Sequence, residues 1–180
     1  LYQKKEGVWQ EGNTFFCSPG NHTPKPATKR VAFGKFCPEC FMSSFALNAR
    51  LEGDSYFVSD LTLCTVRLLK DANYPWLLLI PRQSDLVEII DLEEADQMQL
   101  MREIALASRV LREVTDCEKL NVGALGNQVS QLHVHVIARY RDDPAWPGPV
   151  WGAVPAQEYS HDRVETLIEK LRDTLAGDDD

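Results

Sequence analysis

The sequence predicts an α+β fold in which an antiparallel sheet packs against one long helix. Short apolar segments follow one another through brief connections, as antiparallel strands do. Between them, residues 91–115 repeat apolar side chains at steps of three and four, the spacing of a buried helical stripe. A chain of 180 residues is long enough for one good-sized core, or for one domain with a small appendage.

Three strands are expected before the long helix. Residues 45–52 suggest a short helix or turn. Branched and aromatic side chains indicate strands at 56–59 and 63–70, and large apolar side chains indicate another at 76–81. Residues 73–75 contain asparagine and proline, which favour a turn between the last two strands.

The second half begins with the long helix. Asp91 is its expected N-cap, because Glu94 lies three residues later as in a variant capping box. The helix should run to about Thr115 and bury Leu100, Ile104, Ala107, Leu111 and Val114.

Two further strands and a final helix complete the prediction. Residues 119–125 and 131–140 indicate strands joined by a loop at 126–130. The proline-rich segment 142–155 should be irregular, and its tryptophans Trp146 and Trp151 favour packing or a dimer contact slightly over base stacking. Ser160 is a candidate cap for a last helix to about Leu175, and His161 should be a surface histidine.

Charge and composition narrow the function classes. The net charge is −8, divided into +3 for residues 1–41 and −11 for the remainder, so non-specific nucleic-acid binding is not expected to be the main task. No apolar run approaches the ~20 residues of a membrane span, and the polar start does not resemble a signal peptide. Five cysteines, with one Cys-x-x-Cys pair, favour a reducing compartment such as the cytoplasm. Cys64 and Cys117 lie in apolar segments and are expected in the core.

The first 41 residues differ from the rest and predict a separate N-terminal segment, with the main domain at 42–180. Three thiols and one imidazole suit tetrahedral Zn²⁺, as in a small zinc ribbon. Without a metal, the segment would be a disordered leader with free cysteines, and an alternative start or a fused upstream segment also stays open. The candidate zinc ligands are Cys17, His22, Cys37 and Cys40.

The segment 131–139 carries the strongest chemical signal. Polar and apolar residues alternate there, so Gln131, His133 and His135 should share one face of a strand. Two imidazoles in a row allow one to attack a substrate atom while the other binds an adjacent oxygen. A chance pair of histidines on a half-buried strand is the alternative. The opposite, apolar face would hold Leu132, Val134 and Val136.

This segment resembles the signature of the histidine-triad (HIT) family, His-φ-His-φ-His-φ-φ with φ apolar. Here it reads Gln131-φ-His133-φ-His135-φ-φ, so glutamine replaces the first histidine. The loop 126–130 and the Trp-Pro segment 143–147 also resemble the family, and the likeness covers roughly residues 45–155. It implies an antiparallel sheet with a long helix on one face, and commonly a homodimer.

The resemblance also implies a reaction. Family members cleave nucleotide conjugates, such as dinucleoside polyphosphates or nucleoside phosphoramidates, at the α-phosphate. It implies that His133 is the nucleophile that becomes nucleotidylated, and that His135 contacts the phosphate. Further phosphate or ribose contacts are expected from Asn121, Asn127, Gln128, Ser130 and Arg82.

Two departures from the family pattern leave another function open. Gln131 cannot change its charge, and the histidine that many members carry near position 84 is absent. The alternative is therefore a nucleotide-binding regulatory protein with weak or no catalysis. A third hypothesis makes residues 1–41 a docking element for a protein or a nucleic acid.

Overall fold

The structure is a computed structural model and describes residues 45–177. In chain order, the elements are helix α1 (Ala49–Gly53), strands β1 (Ser55–Asp60), β2 (Cys64–Leu69) and β3 (Trp76–Pro81), a 3₁₀ turn (Ile89–Asp91), helix α2 (Glu94–Thr115), strands β4 (Lys119–Gly123) and β5 (Val134–Arg139), and helix α3 (His161–Gly177).

The strands form one antiparallel five-stranded sheet in the order β1-β2-β3-β5-β4, counted over residues 45–177. Its α+β architecture confirms the predicted fold class. No helix in this part of the chain is long and apolar enough to cross a membrane. The predicted N-terminal segment and the acidic tail at 178–180 lie outside the described residues.

Helices α2 and α3 pack on one face of the sheet. Side chains of both helices share a single core cluster with alternate residues of the strands, including Val66, Leu77 and Val136. The predicted helical stripe is confirmed, with Val110 also buried and Val114 partly so. Glu103 fastens α2 to β2, because its carboxylate accepts from the backbone N–H groups of Leu63 and Cys64 at 2.7 and 2.8 Å.

Both cysteines of the main domain lie in this core, as predicted. Cys64 and Cys117 are buried free thiols. Burial, assisted by the neighbouring Glu103 carboxylate, raises the pKa of the Cys64 thiol far above its usual value. The thiolate is the reactive form of cysteine, so Cys64 is a packing residue.

The predicted cap of the long helix is wrong. Helix α2 begins at Glu94, with Glu93 before it, whereas Asp91 ends the 3₁₀ turn. The Asp91 carboxylate accepts from the backbone N–H groups of Val87 and Glu88 at 3.1 and 2.7 Å. The donors that it satisfies therefore precede it, and a 3₁₀ turn takes the place of the expected first helical turn.

The fourth and fifth strands are shorter than predicted. Strand β4 stops at Gly123, which pairs with His135, so the ladder with β5 ends there. Strand β5 begins at Val134 because Leu132, just before it, is hydrogen-bonded to Leu86 and not to a neighbouring strand of the sheet. The N–H of Leu132 donates to the carbonyl of Leu86 at 2.9 Å, in the connection after β3.

Candidate active site

His133 and His135 lie together on the sheet face opposite α2 and α3. His133 directly precedes β5 and His135 is its second residue, and both are more than nine-tenths buried. Their ring centroids are 4.9 Å apart. Leu132, Val134 and Val136 point into the helix-side core, as the alternation predicts.

The ring of His133 has a defined tautomer. Its Nδ1 lies 2.7 Å from the backbone carbonyl oxygen of Gln131. A carbonyl oxygen only accepts hydrogen bonds, so we assign the hydrogen to Nδ1. In the neutral ring the lone pair is then on Nε2, the atom that is free to attack an electrophile.

The ring of His135 is held by two tryptophans. Trp76 Nε1 donates to His135 Nδ1 at 2.9 Å. The rings of Trp76 and Trp151 pack edge-on against His135, with centroids at 5.4 and 5.6 Å. Burial, and secondly the neighbouring His133, lower the pKa of His135 to about 4. His135 is therefore neutral at physiological pH.

Acidification should destabilise the fold through His135. An unfolded histidine has a pKa of about 6.5, whereas the folded value is about 4. Between these values the unfolded chain binds more protons, so the free energy of unfolding falls as the pH falls from about 7 and levels off below about 4. We expect His135 to contribute a loss of about 1–3 kcal/mol.

Urea unfolding across this pH range measures the effect in the wild type and in His135→Asn. The variant keeps all other titrating groups, so the difference between the two pH profiles isolates His135. Parallel profiles would contradict the expected contribution.

The histidines open onto a cavity of about 440 Å³. One part of its wall is apolar and is formed by Leu51, Leu69, Leu78 and Trp151, among others. Its polar wall is formed by the histidines together with Arg50, Asp54, Asn127 and Gln128. Cavities of this size and mixed lining are typical of small-molecule sites.

The fold and this cavity agree with the comparisons with known proteins. The sequence model of the HIT domain matches residues 50–142 of the 180-residue chain. The chain belongs to the HIT domain family. The resemblance read from the histidine segment is thereby confirmed, and it places the chain in a superfamily of nucleotide-binding proteins and nucleotide hydrolases.

Three solved histidine triad proteins illustrate the similarity of the HIT domain. One from Bradyrhizobium japonicum is 52% identical, with a TM-score of 0.72, over 73% of this chain and 98% of that chain. One from Sinorhizobium meliloti 1021 is 43% identical, with a TM-score of 0.71, over 74% and 98%. One from Marinobacter aquaeolei VT8 is 40% identical, with a TM-score of 0.72, over 74% and 98%. No curated protein matches the chain.

The HIT domain brings some of the predicted contact residues to the cavity and leaves others away from it. Asn127 and Gln128 line it together with both histidines. Ser130 is exposed in the same loop but is not part of the lining. Arg82 lies elsewhere, where it pairs with Asp60 at 3.2 Å.

Gln131 and Asn121 have structural partners. The Gln131 amide accepts from the backbone N–H of Asn48 at 2.9 Å and donates to the carbonyl of Ala46 at 3.0 Å. It thus ties the segment before α1 to the histidine segment. The side-chain oxygen of Asn121 accepts from Arg139 Nη1 at 2.5 Å. Neither residue lines the cavity of the HIT domain.

Arg50 and Asp54 were not predicted from the sequence. Both lie at the cavity rim, where Arg50 Nε is 3.5 Å from the Asp54 carboxylate and Arg50 Nη2 donates to Gln128 Oε1 at 2.6 Å. In the sequence they are only an oppositely charged pair four residues apart, which usually marks an exposed helical turn. Their place in the site depends on the long-range contact between α1 and the loop before β5.

A buried ion pair organises the segment after β5. Arg139 and Asp143 are each 2% exposed in their side chains, and two N–O contacts of 2.7 and 3.0 Å join them. Arg139 also donates to the carbonyl of Gly148 at 2.9 Å. The pair therefore shapes the turn that leads to Trp151. Trp146 packs over the Arg139 guanidinium at 5.7 Å and is 39% exposed, outside the cavity lining.

The predicted zinc ligands Cys17, His22, Cys37 and Cys40 lie outside the described residues. Within 45–177, no group of three or more histidine, cysteine or acidic side chains could hold a metal ion. His161 is exposed at the start of α3, as predicted, and lies 3.3 Å from Glu165.

Proposed function

We propose that this protein is a nucleotide hydrolase or nucleotidyl transferase that acts at the α-phosphate of a nucleotide conjugate. Dinucleoside polyphosphates and nucleoside phosphoramidates are the substrate classes. The observation that carries the proposal is the histidine pair at the cavity, with the His133 Nδ1 hydrogen held by the Gln131 carbonyl and Nε2 left free. A nucleophile oriented by a second group is the usual arrangement for covalent catalysis.

The reaction proceeds in two displacements. His133 Nε2 attacks the α-phosphorus, a nitrogen–phosphorus bond forms, and the bond to the leaving group breaks with its electron pair on that group. A phosphate leaving group departs as the anion, whereas the nitrogen of a phosphoramidate takes a proton from solvent and departs as the amine. The Gln131 carbonyl stabilises the positive charge that develops on the ring. Water then attacks the phosphorus, the nitrogen–phosphorus bond breaks, and the nucleoside monophosphate leaves while the water proton goes to solvent. Positioning and charge neutralisation supply most of the catalysis in such transfers.

The two parts of the cavity wall suit the two parts of a nucleotide. The apolar part around Leu51, Leu69 and Leu78 fits a base. The polar side, with Asn127, Gln128 and the Arg50 guanidinium, provides hydrogen-bond donors for phosphate or ribose oxygens. We propose these as the substrate contacts beside His133 and His135.

Rapid acid quenching followed by intact-protein mass spectrometry tests the function. The protein is mixed with a panel of adenosine- and guanosine-containing conjugates and quenched at short times. We expect a transient mass gain of one nucleoside monophosphate, which also identifies the accepted base. Product formation without any adduct, at any quench time, would contradict the covalent mechanism.

A nucleotide-binding protein with little catalysis is the second candidate. Position 131 is a glutamine, so the histidine pair has no third imidazole beside it in the sequence motif. The observation that favours this candidate is that the Gln131 amide is hydrogen-bonded to the backbone of Ala46 and Asn48, which is a structural role. If this candidate is correct, the wild type binds nucleoside monophosphates without turnover, and Gln131→His raises turnover. Isothermal titration calorimetry measures the binding of the nucleoside monophosphate, and a product assay measures turnover. Unchanged turnover in Gln131→His would count against this explanation.

We also propose a homodimer. Strand β4 is one of the two outer strands of the sheet over residues 45–177, and Val122 on it is 49% exposed. On α2, Met98 and Met101 are 52% and 65% exposed. An open edge and exposed apolar side chains favour association with a second copy. Sedimentation velocity of the full chain measures the oligomeric state.

The N-terminal proposal is separate from the HIT domain. Cys17, His22, Cys37 and Cys40 are proposed to hold one structural Zn²⁺, and the segment could dock a partner. Metal analysis of the full chain, with Cys37→Ser as a comparison, measures the zinc content. We further propose a cytoplasmic location, with which the free thiols of Cys64 and Cys117 agree.

A further inference from the structure

We propose that Trp76 is a positioning residue whose indole N–H fixes His135 in the tautomer that presents an N–H at Nε2 to the substrate. Its consequence for catalysis rests on the proposed function. The structural part of the inference concerns the ligand-free protein and can be tested without any substrate.

The hydrogen bond itself decides the tautomer. Trp76 is the first residue of β3, pairs with Ile137 and is 5% exposed. Its Nε1 lies 2.9 Å from His135 Nδ1 in a buried contact. An indole nitrogen is only a donor, so Nδ1 of His135 must accept. A neutral imidazole carries a single hydrogen, which is therefore on Nε2.

The other two states of His135 are disfavoured by the same contact. Both the opposite tautomer and the imidazolium ion carry a hydrogen on Nδ1, which would face the indole N–H. Breaking that contact would leave a buried donor without a partner, a costly arrangement in a protein interior. His135 is therefore expected to stay neutral in mildly acidic solution.

The charged groups around His133 and His135 do not favour the protonated form of His135, so they do not offset the effect of the Trp76 hydrogen bond. His133 is the titratable neighbour on the same segment, and it lowers the pKa of His135. Across the cavity, Arg50 and Asp54 pair with each other at the exposed rim. Beyond Trp76, Arg139 is paired with Asp143 and lies over the Tyr74 ring. None of the contacts of His135 within residues 45–177 is with a carboxylate.

The consequence is a division of roles between two identical side chains. The Gln131 carbonyl accepts from Nδ1 of His133, so its Nε2 carries the lone pair. The Trp76 indole donates to Nδ1 of His135, so its Nε2 carries a hydrogen. One ring is therefore a nucleophile and the other a hydrogen-bond donor for a phosphate oxygen. Opposite partners on the two Nδ1 atoms thus prevent His135 from competing for the phosphorus.

Trp151 offers a matched control within the same site. Its ring packs on His135 at 5.6 Å, close to the 5.4 Å of Trp76, also edge-on. The Nε1 atom of Trp151, however, is buried with no hydrogen-bond partner among the described residues. Trp76→Phe removes an aromatic edge and the hydrogen bond, whereas Trp151→Phe removes only an aromatic edge.

The test is two-bond ¹H–¹⁵N correlation NMR of the imidazole nitrogens in the ligand-free protein across mildly acidic to neutral pH. In the wild type and in Trp151→Phe we expect His135 to show the Nε2–H tautomer throughout. In Trp76→Phe, the tautomer ratio should shift by about fivefold to tenfold toward Nδ1–H, as expected for the loss of one hydrogen bond. His135 should also begin to titrate nearer to the ordinary histidine pKa of about 6.5.

An Nδ1–H signal for His135 in the wild type would overturn the proposal, even if Trp76→Phe does not fold. An unchanged tautomer ratio in a folded Trp76→Phe would overturn it as well. Kinetics separate this result from the proposed function. If the wild type transfers no nucleotide, the proposed function fails while the NMR result still decides the role of Trp76. If the wild type does transfer nucleotide, the pH profile of kcat/KM for Trp76→Phe should show an additional ionisation, that of His135, nearer to the ordinary histidine pKa of about 6.5. The wild type and Trp151→Phe should lack it, because their His135 stays neutral in that range.

Discussion

Replacing His133 with alanine should abolish turnover while the domain stays folded. The substitution removes the only protein atom proposed to form a bond with phosphorus, so we expect kcat/KM to fall by at least about 10³-fold. The covalent adduct should disappear from acid-quenched samples. The cavity provides space at this position, so most of the structure around it should remain in place. Steady-state kinetics and intact-protein mass spectrometry measure the two effects.

The control is His161→Ala, because His161 is a surface histidine on α3 with a side chain that is 79% exposed. It should keep full activity and the wild-type adduct. Circular dichroism and thermal unfolding of both variants separate loss of chemistry from loss of fold. A folded His133→Ala protein that retains turnover would rule out the covalent His133 mechanism.

Replacing Arg139 with methionine should cause the largest loss of stability. The substitution leaves the Asp143 carboxylate buried without its partner, and removal of one member of a buried ion pair costs about 3–5 kcal/mol. Activity should fall in the same variant, because Arg139 also holds the Gly148 carbonyl in the segment that leads to Trp151. Urea unfolding measures the change in the free energy of unfolding.

Arg141→Met is the matched control. Arg141 pairs with Glu118 at 3.7 Å, but its side chain is 80% exposed, and exposed pairs contribute at most about 1 kcal/mol. A loss of similar size in Arg139→Met and Arg141→Met would contradict the structural role of the buried pair. The double replacement Arg139→Met with Asp143→Leu should recover part of the loss, since no unpaired charge then remains.

The pair also gives the domain an acid-sensitive component. Burial opposes ionisation of Asp143, but hydrogen bonds from Arg139 and from the backbone N–H groups of Tyr140 and Ala145 outweigh it and lower its pKa. A carboxyl group with a lowered folded pKa stabilises the fold above its unfolded pKa of about 3.9, and this contribution is lost as the pH falls through the folded value. The pair therefore contributes over the whole neutral range.

The elements that the sequence predicted correctly have local signals. In α2, apolar residues recur every three or four positions, and around His133 apolar and polar residues alternate. Both patterns show in the sequence which side of the element is buried. The length of β3 was also predicted correctly, because Trp76–Pro81 is apolar throughout and a proline ends it.

The errors arise where partners are distant in the chain or where local alternatives compete. Gln131 contacts Asn48, 83 residues away, and Trp76 contacts His135, 59 residues away, so neither contact has a local signature. Asp91 has the sequence of a helix cap, yet the same carboxylate caps a 3₁₀ turn just before the helix. A motif locates a residue, but it does not identify the partner of its side chain, as the contact between Asn121 and Arg139 illustrates.

The two faces of the sheet have a consequence for how such a protein can diversify. Along β2 and β3, Leu68 and Leu77 belong to the core under the helices, whereas their immediate neighbours Leu69 and Leu78 line the cavity. We expect substitutions at Leu69 and Leu78 to alter which ligands the cavity accepts, whereas Leu68 and Leu77 contribute to stability alone. Leu78 contributes to both, because it is 1% exposed and packs in a second core cluster on the cavity side of the sheet. Selection for a new ligand can therefore leave the helix-side residues of the same strands unchanged, and the stability that those residues provide is retained while the cavity side varies.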